Sequence, residues 1–309
     1  MFRWLFGDSK AQTATAGRFG AYTVRRTVHD GEKAVVYEAR SLTTHQSVAI
    51  KCYKPLYDRT ARRMRKKYKL RSEGEIGMLM NPRPDDDGRD YPIVRTLHYD
   101  HEFGKSGNPQ FIVMEYVRGA KLKAMIATCD PKLPKFRLYL CRQAVKALSI
   151  IHKRRMVHRD VCSDNFLVYP NGRLKLIDLG FCVPIGLCFE EKSGTPSYMA
   201  PEQIQAATIT PQADIYSFGV VMFELFTGRL PFTTQVRDGA NGRTRARAAE
   251  LMSMHLRDHP PEPRSIVPEL NPKVEEIILK CLDKMPSRRY GSAEDLLCEL
   301  NRIDSIEKR

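Results

Sequence analysis

Residues 156–180 read MVHRDVCSDNFLVYPNGRLKLIDLG, and the reading of the whole chain turns on this stretch. Phe166-Leu167-Val168 and Leu174 to Ile177 are short apolar runs separated by the turn signal Pro170-Asn171-Gly172, so the pattern predicts a β-hairpin. Such a hairpin holds Asn165 and Asp178 at the same end of two paired strands. Two hard oxygen ligands converging on one point suit Mg²⁺. Asp160, directly after His158-Arg159, stands beside them as a carboxylate able to accept a proton from an attacking hydroxyl.

Working outward, Leu140, Ala144, Leu148 and Ile151 recur at helical spacing within Phe136 to His152, a buried amphipathic helix leading into this stretch. Further upstream the pattern is that of strands. Tyr22-Thr23-Val24, Ala34 to Ala39 and Ser47 to Lys51, divided by turn residues, predict an antiparallel meander. One helix is expected from about Thr60 to Met80, then a polar loop, a strand over Tyr91-Pro92-Ile93-Val94, and a hairpin through Leu97-His98-Tyr99 and Phe111 to Met114. Downstream, Asp214 to Leu225 is apolar nearly all round and reads as a buried helix capped by Asp214; a final helix follows Pro286 to Tyr290. The class is therefore α+β, a mostly β part followed by a mostly α part, with the ligand cleft expected between them.

His158-Arg159-Asp160, four residues, Asn165, then Asp178-Leu179-Gly180 resembles the catalytic and metal-binding loops of eukaryotic-type protein kinases. The likeness runs from residue 22 to about 303, and the carboxy-terminal text, His255 through Pro263 to Ala293, looks most like bacterial serine/threonine kinases. It implies a bilobal fold: a flexible leader over 1–20, a small mostly β lobe over 21–116 with one main helix, and a larger mostly α lobe over 117–309. The implied cofactors are ATP and Mg²⁺, with Asp160 as catalytic base and Asn165 and Asp178 on the metal.

Val48-Ala49-Ile50-Lys51 is similar to the family's third-strand motif, so Lys51 is expected on the nucleotide phosphates with a carboxylate from the next helix. That helix offers Glu73 and Glu75. Glu73 fits better, since Leu70, Ile76 and Met80 share its helical face. By the same likeness Met114 is the gatekeeper, Glu115 and Val117 offer backbone hydrogen bonds to the adenine edge, and Val36, Ala49 and Leu167 sandwich the ring. Of the glycine-rich phosphate loop only Gly31 is kept; His29 and Ala34 stand where other glycines are usual, which implies looser phosphate cover.

Ser193 to Glu202, SGTPSYMAPE, resembles the activation segment and its anchor in serine/threonine kinases. Arg159 implies a basic pocket for a phosphate on that segment, where Ser193, Thr195, Ser197 and Tyr198 are the hydroxyls and Glu190 or Glu191 an alternative source of charge. The resemblance pairs Glu202 with Arg289 and has Asp214 hold the catalytic-loop backbone. Two departures stand out. Leu179 replaces the usual phenylalanine, a mild change. Cys162 replaces the lysine that contacts the γ-phosphate, and a neutral thiol supplies no such charge. The alternative to an active kinase is therefore a pseudokinase acting as a nucleotide-binding scaffold; a small-molecule phosphotransferase is disfavoured by the protein-kinase-like anchor.

The 309 residues are 42% hydrophobic and 28% charged, ordinary for a globular protein. No apolar run approaches a bilayer span, and the start, Met1 to Phe6, is too short and too interrupted for a signal core, which leads to an expected cytoplasmic setting. Trp4 and its neighbours read as a frayed end. Eight cysteines without a C-x-x-C pair argue against zinc and for reduced thiols. The excess of 51 Lys+Arg over 36 Asp+Glu allows an acidic protein partner. The run Arg62 to Arg71 lacks the aromatics of a base-stacking surface, so nucleic acid is not expected. Arg237, Arg243, Arg245 and Arg247 read as a solvated loop.

Overall fold

The structure, a computed structural model, describes residues 18–84, 86, 90–100, 111–236 and 243–307. Of the leader expected over 1–20 only Arg18 to Gly20 are described, and Arg18–Phe19 is a strand; Met1 to Phe6 and Arg237 lie outside the described residues. The chain divides into two compact units, Met1–Asn81 with Val94–Arg118 and Pro82–Ile93 with Gly119–Arg309.

The first unit is built on an antiparallel sheet of β1 (Arg18–Phe19), β2 (Tyr22–Asp30), β3 (Ala34–Ser41), β4 (Ser47–Tyr53), β5 (Thr96–Tyr99) and β6 (Phe111–Glu115), in the order β1-β2-β3-β4-β6-β5. Alternation assigns its faces. Val48, Ile50 and Cys52 point one way and pack with Phe19, Val24, Ala39, Phe111 and Val113 into an apolar core. Ala49 and Lys51 point the other way. Register adds Val36 and Ile112, opposite Lys51, and Met114, opposite Ala49, to that second face.

Two helices stand where one was expected: α1 (Pro55–Tyr68) and α2 (Glu73–Met80). Lys69 turns left-handed, at φ 53°, and ends α1. Ser72 then starts α2 with a capping box: its hydroxyl accepts the Glu75 N–H, and the Glu75 carboxylate accepts the Ser72 N–H at 2.6 Å. The basic run favours helix throughout, so only the Ser-x-x-Glu signal marks the break.

The second unit is mostly helical: α3 (Leu122–Ala127), α4 (Leu133–Lys153), α5 (Pro201–Ile204), α6 (Pro211–Thr227), α7 (Arg243–Arg257), α8 (Pro272–Cys281) and α9 (Ala293–Glu307). Short strands frame the central loop. In chain order, β7 (Ala120–Lys121), β8 (Met156–Val157), β9 (Phe166–Val168), β10 (Leu174–Leu176) and β11 (Val183–Pro184) form a three-stranded sheet, β10-β9-β7, and a β8/β11 pair. Three expectations need correction. Tyr91 to Val94 is no strand; Pro92 lacks a ladder donor, and Ile93 makes a single parallel bridge to Leu176. Asp214 does not cap α6, which starts at Pro211 after Thr210, and lies within its first turn. Arg243, Arg245 and Arg247 sit on α7 rather than in a loop, as a text rich in Arg and Ala favours. No helix among the described residues is long and apolar enough to cross a membrane.

Candidate active site

In the first unit Lys51 lies on the second sheet face. Its ammonium reaches both oxygens of Glu73, at 2.9 and 3.0 Å, and the two side chains are only 12% and 6% exposed. Local structure explains why Glu73 is the partner: Glu75 is committed to the Ser72 cap. Unpaired burial of an ammonium is costly, and the two contacts to Glu73 fix Lys51 in place. Val36, Ala49 and Met114 lie on the same face by register. Glu115 ends β6; its N–H donates to the Arg95 carbonyl and its carboxylate accepts the Arg95 N–H. Val117, buried, follows where the chain has left the sheet.

The segment around Gly31 is a tight turn between β2 and β3. β2 and β3 stay paired as far as Asp30 opposite Val35, and the Gly31 N–H donates to the Ala34 carbonyl at 3.0 Å. A Cβ at Gly31 would meet the His29 ring at 2.7 Å.

In the second unit the hairpin forms as its turn signal dictates. Leu174 pairs with Val168 and Leu176 with Phe166, and Gly172 takes φ 84° in the turn. The Ile177 N–H donates to the Asn165 carbonyl at 3.0 Å, extending the ladder by one step and bringing Asn165 and Asp178 to the same end. The Asn165 amide nitrogen donates to the Asp160 carbonyl and, at 3.2 Å, to its carboxylate, so the amide oxygen faces away from Asp160. Leu167 sits in β9 between Lys175 and Lys121.

Asp160 is held from a second side. Thr195 donates both its N–H (2.8 Å) and its hydroxyl (2.7 Å) to one carboxylate oxygen, while Asn165 takes the other. The loop beneath is pinned by Asp214, fully buried, which accepts the N–H groups of His158 and Arg159 at 2.8 Å each and bonds the His152 ring. Burial alone would raise the Asp214 carboxyl, but the bond and charge of His152 and the approach of His158 outweigh it and hold the carboxyl below its ordinary value.

Cys162 is 2% exposed, and its sulfur lies 3.8 Å from the Thr195 hydroxyl. Burial, reinforced by Asp160, pushes the thiol far above its ordinary range, so it is neither a cation nor a ready nucleophile. Arg159 does not face an open pocket. It is 6% exposed and its guanidinium lies 4.0 Å over the Phe189 ring. Of the segment's hydroxyls, Thr195 is engaged by Asp160 and Tyr198 bonds Ser163 and Glu224. Glu202 and Arg289 meet in a buried two-pronged pair at 2.7 and 2.9 Å.

The donor set fits Mg²⁺: an amide oxygen at Asn165 and a carboxylate at Asp178, with no cluster of three or more His, Cys, Asp or Glu among the described residues to form an all-protein cage. Mg²⁺ is commonly held by one or two protein ligands together with water and phosphate oxygens. Sequence reasoning did not single out the double bond of Thr195 to Asp160, the Phe189 cover on Arg159, or the contacts of Lys121 and Lys123 with Asp164 described below. All span 30 residues or more, and no local pattern announces them.

A family model described as "Protein kinase domain" matches residues 22–299. The chain is 30% identical over 285 residues to serine/threonine-protein kinase PrkC of Bacillus subtilis, covering 91% of this chain and 40% of that one. It is 30% identical over 295 residues to serine/threonine-protein kinase PknD of Mycobacterium tuberculosis, covering 93% and 40%. The chain thus spans about two fifths of the length of the curated relatives it matches. Among solved structures, the kinase domain of Mycobacterium tuberculosis PknI superposes with a TM-score of 0.65 at 21% identity, covering 94% of this chain and 99% of that one, a likeness of fold.

Proposed function

The chain belongs to the protein kinase domain family, and from that premise we propose that it is a serine/threonine kinase, transferring the γ-phosphoryl group of ATP to hydroxyls of protein substrates. The observation that carries this reading is the Asp160 carboxylate, oriented by Thr195 and Asn165 on a loop whose backbone Asp214 fixes. Held so, it accepts the proton of an acceptor hydroxyl as that oxygen attacks. Lys51, steadied by Glu73, bonds the nucleotide phosphates. We assign Val36, Ala49, Met114 and Leu167 to the adenine ring, the backbone of Glu115 and Val117 to its edge, and the Gly31 turn to the phosphates. Bound Mg²⁺ supplies neutralising charge at the phosphate oxygens; Asn165 and Asp178 are the residues that would hold it.

Cys162 favours a second reading, a pseudokinase that binds nucleotide without efficient transfer, because the usual cation is missing there. Loss of one such stabiliser costs on the order of 10²–10³ in rate, which slows transfer without silencing it. None of the eight cysteines, all among the described residues, is in a disulfide, which fits a reducing compartment, and we take the cytoplasm as the setting.

The test is incubation with γ-labelled ATP and Mg²⁺, alone and with a generic basic protein acceptor, beside Asp160→Ala. Label on serine or threonine from the wild type, and none from the variant, is the expected result. Equal labelling by both, or no label on any acceptor, overturns the active-kinase reading.

A further inference from the structure

We propose that Lys121 and Lys123 form a cationic subsite beside the catalytic loop that selects acceptor segments carrying an acidic residue within about four positions of the phosphorylated hydroxyl. This rests on the kinase reading above and deepens it. Lys121 ends β7 and Lys123 stands in the first turn of α3; both ammonium groups converge on Asp164, at 3.3 and 2.6 Å. Asp164 lies in the short 3₁₀ turn Ser163–Asn165, four residues after Asp160 and next to Asn165.

The charge balance at the surface is positive. The Lys121, Lys123 and Asp164 side chains are 39%, 50% and 36% exposed, so two half-exposed ammonium groups share one carboxylate. Each ammonium carries three N–H donors and gives one to Asp164, and the half-exposed side chains keep donor capacity for a second acceptor. The further carboxylate that acts on Lys123, Glu224, is buried and bonded by the Tyr198 hydroxyl, so it does not face an incoming chain. Asp164 fixes both lysine stems, which lowers the entropy lost when a second anion is bound.

Distance sets the register. Four residues span at most about 14 Å, and an extended peptide covers that distance in about the same number. With the acceptor hydroxyl at Asp160, an acidic side chain within four positions reaches the lysines, whereas a basic one meets repulsion. The subsite also gives the chain's positive excess a partner of defined chemistry, an acidic segment.

The experiment separates docking from transfer. Peptides in which the acceptor is alanine, flanked on both sides by aspartate, by neutral residues or by lysine, are titrated onto the full chain by fluorescence anisotropy at low salt. The aspartate peptide is expected to bind about two- to fivefold tighter than the neutral one, the range of a partly exposed charge contact, and the margin should shrink as salt rises. Lys121→Gln with Lys123→Gln should erase the margin, and Lys121→Glu with Lys123→Glu should turn it toward the lysine peptide. Equal binding of the three peptides to the wild type, or a margin that survives both double variants, overturns the inference. Label transfer to the serine versions is measured separately: its absence with the binding order intact removes the kinase reading alone.

Discussion

Two glutamate-cation pairs, one in each unit, differ in what surrounds the cation. Glu202 and Arg289 are both buried, joined by two short hydrogen bonds, and the guanidinium also donates to the carbonyls of Gln212, Asp283 and Lys284. Every face of that cation is taken up by the fold. Lys51 meets both oxygens of Glu73 on the second sheet face, with its ammonium 5.4 Å over the Tyr53 ring. A saturated pair holds structure; a pair whose cation faces a site can take a third, anionic partner. Residue types alone do not reveal the difference, which lies in where the fold places each cation.

Breaking the saturated pair should have the largest effect. Arg289→Ala leaves Glu202 buried without its partner and should lower unfolding free energy by about 3–5 kcal/mol in denaturant titrations. Lys51→Met should instead fall on chemistry, lowering transfer by about 10²–10³, with a smaller loss of stability than Arg289→Ala. Equal losses of stability in the two variants would erase the distinction.

Acid sharpens the same contrast, because the Arg289 corner is dry. The Arg289 guanidinium lies 4.8 Å over the Tyr216 ring, and the Tyr216 hydroxyl bonds His255 at 2.9 Å. Burial, with Lys284 near, lowers the His255 imidazole from 6.5 to about 4. The folded value lies below the unfolded one, so this stability is fully present above pH 6.5 and is lost as pH falls toward 4. It amounts to about 3 kcal/mol, and His255→Gln should flatten that part of a stability-against-pH curve. The smallest effect belongs to the other pair: Ser72→Ala removes the cap that occupies Glu75 and should cost about 1 kcal/mol by thermal unfolding. Some loss of transfer should follow as Glu75 is released.

The same contrast explains what the sequence disclosed. The hairpin of residues 166–176 was legible because alternation and a Pro-Asn-Gly turn act locally, and its geometry carries Asn165 and Asp178 with it. The Glu73 pairing was legible in part: helical spacing favoured it, but the deciding fact was the capping box on Ser72, read past in favour of one long helix. Lys69 in the left-handed region had no signal, since lysine is not a residue that favours it. The grip of Thr195 on Asp160 and the Phe189 lid on Arg159 depend on chain closure over 30 residues or more, where local preference is silent.

Cys162 has one further consequence, for chemical labelling. Cys129, Cys188 and Cys298 are exposed, whereas Cys162 is buried beneath Thr195 with its thiol held protonated. A thiol-directed electrophile should therefore mark the three surface sites in the native protein and leave the catalytic loop untouched. Alkylation of Cys162 requires its surroundings to open, so its rate relative to the three surface thiols is an intrinsic reporter of local opening around this loop.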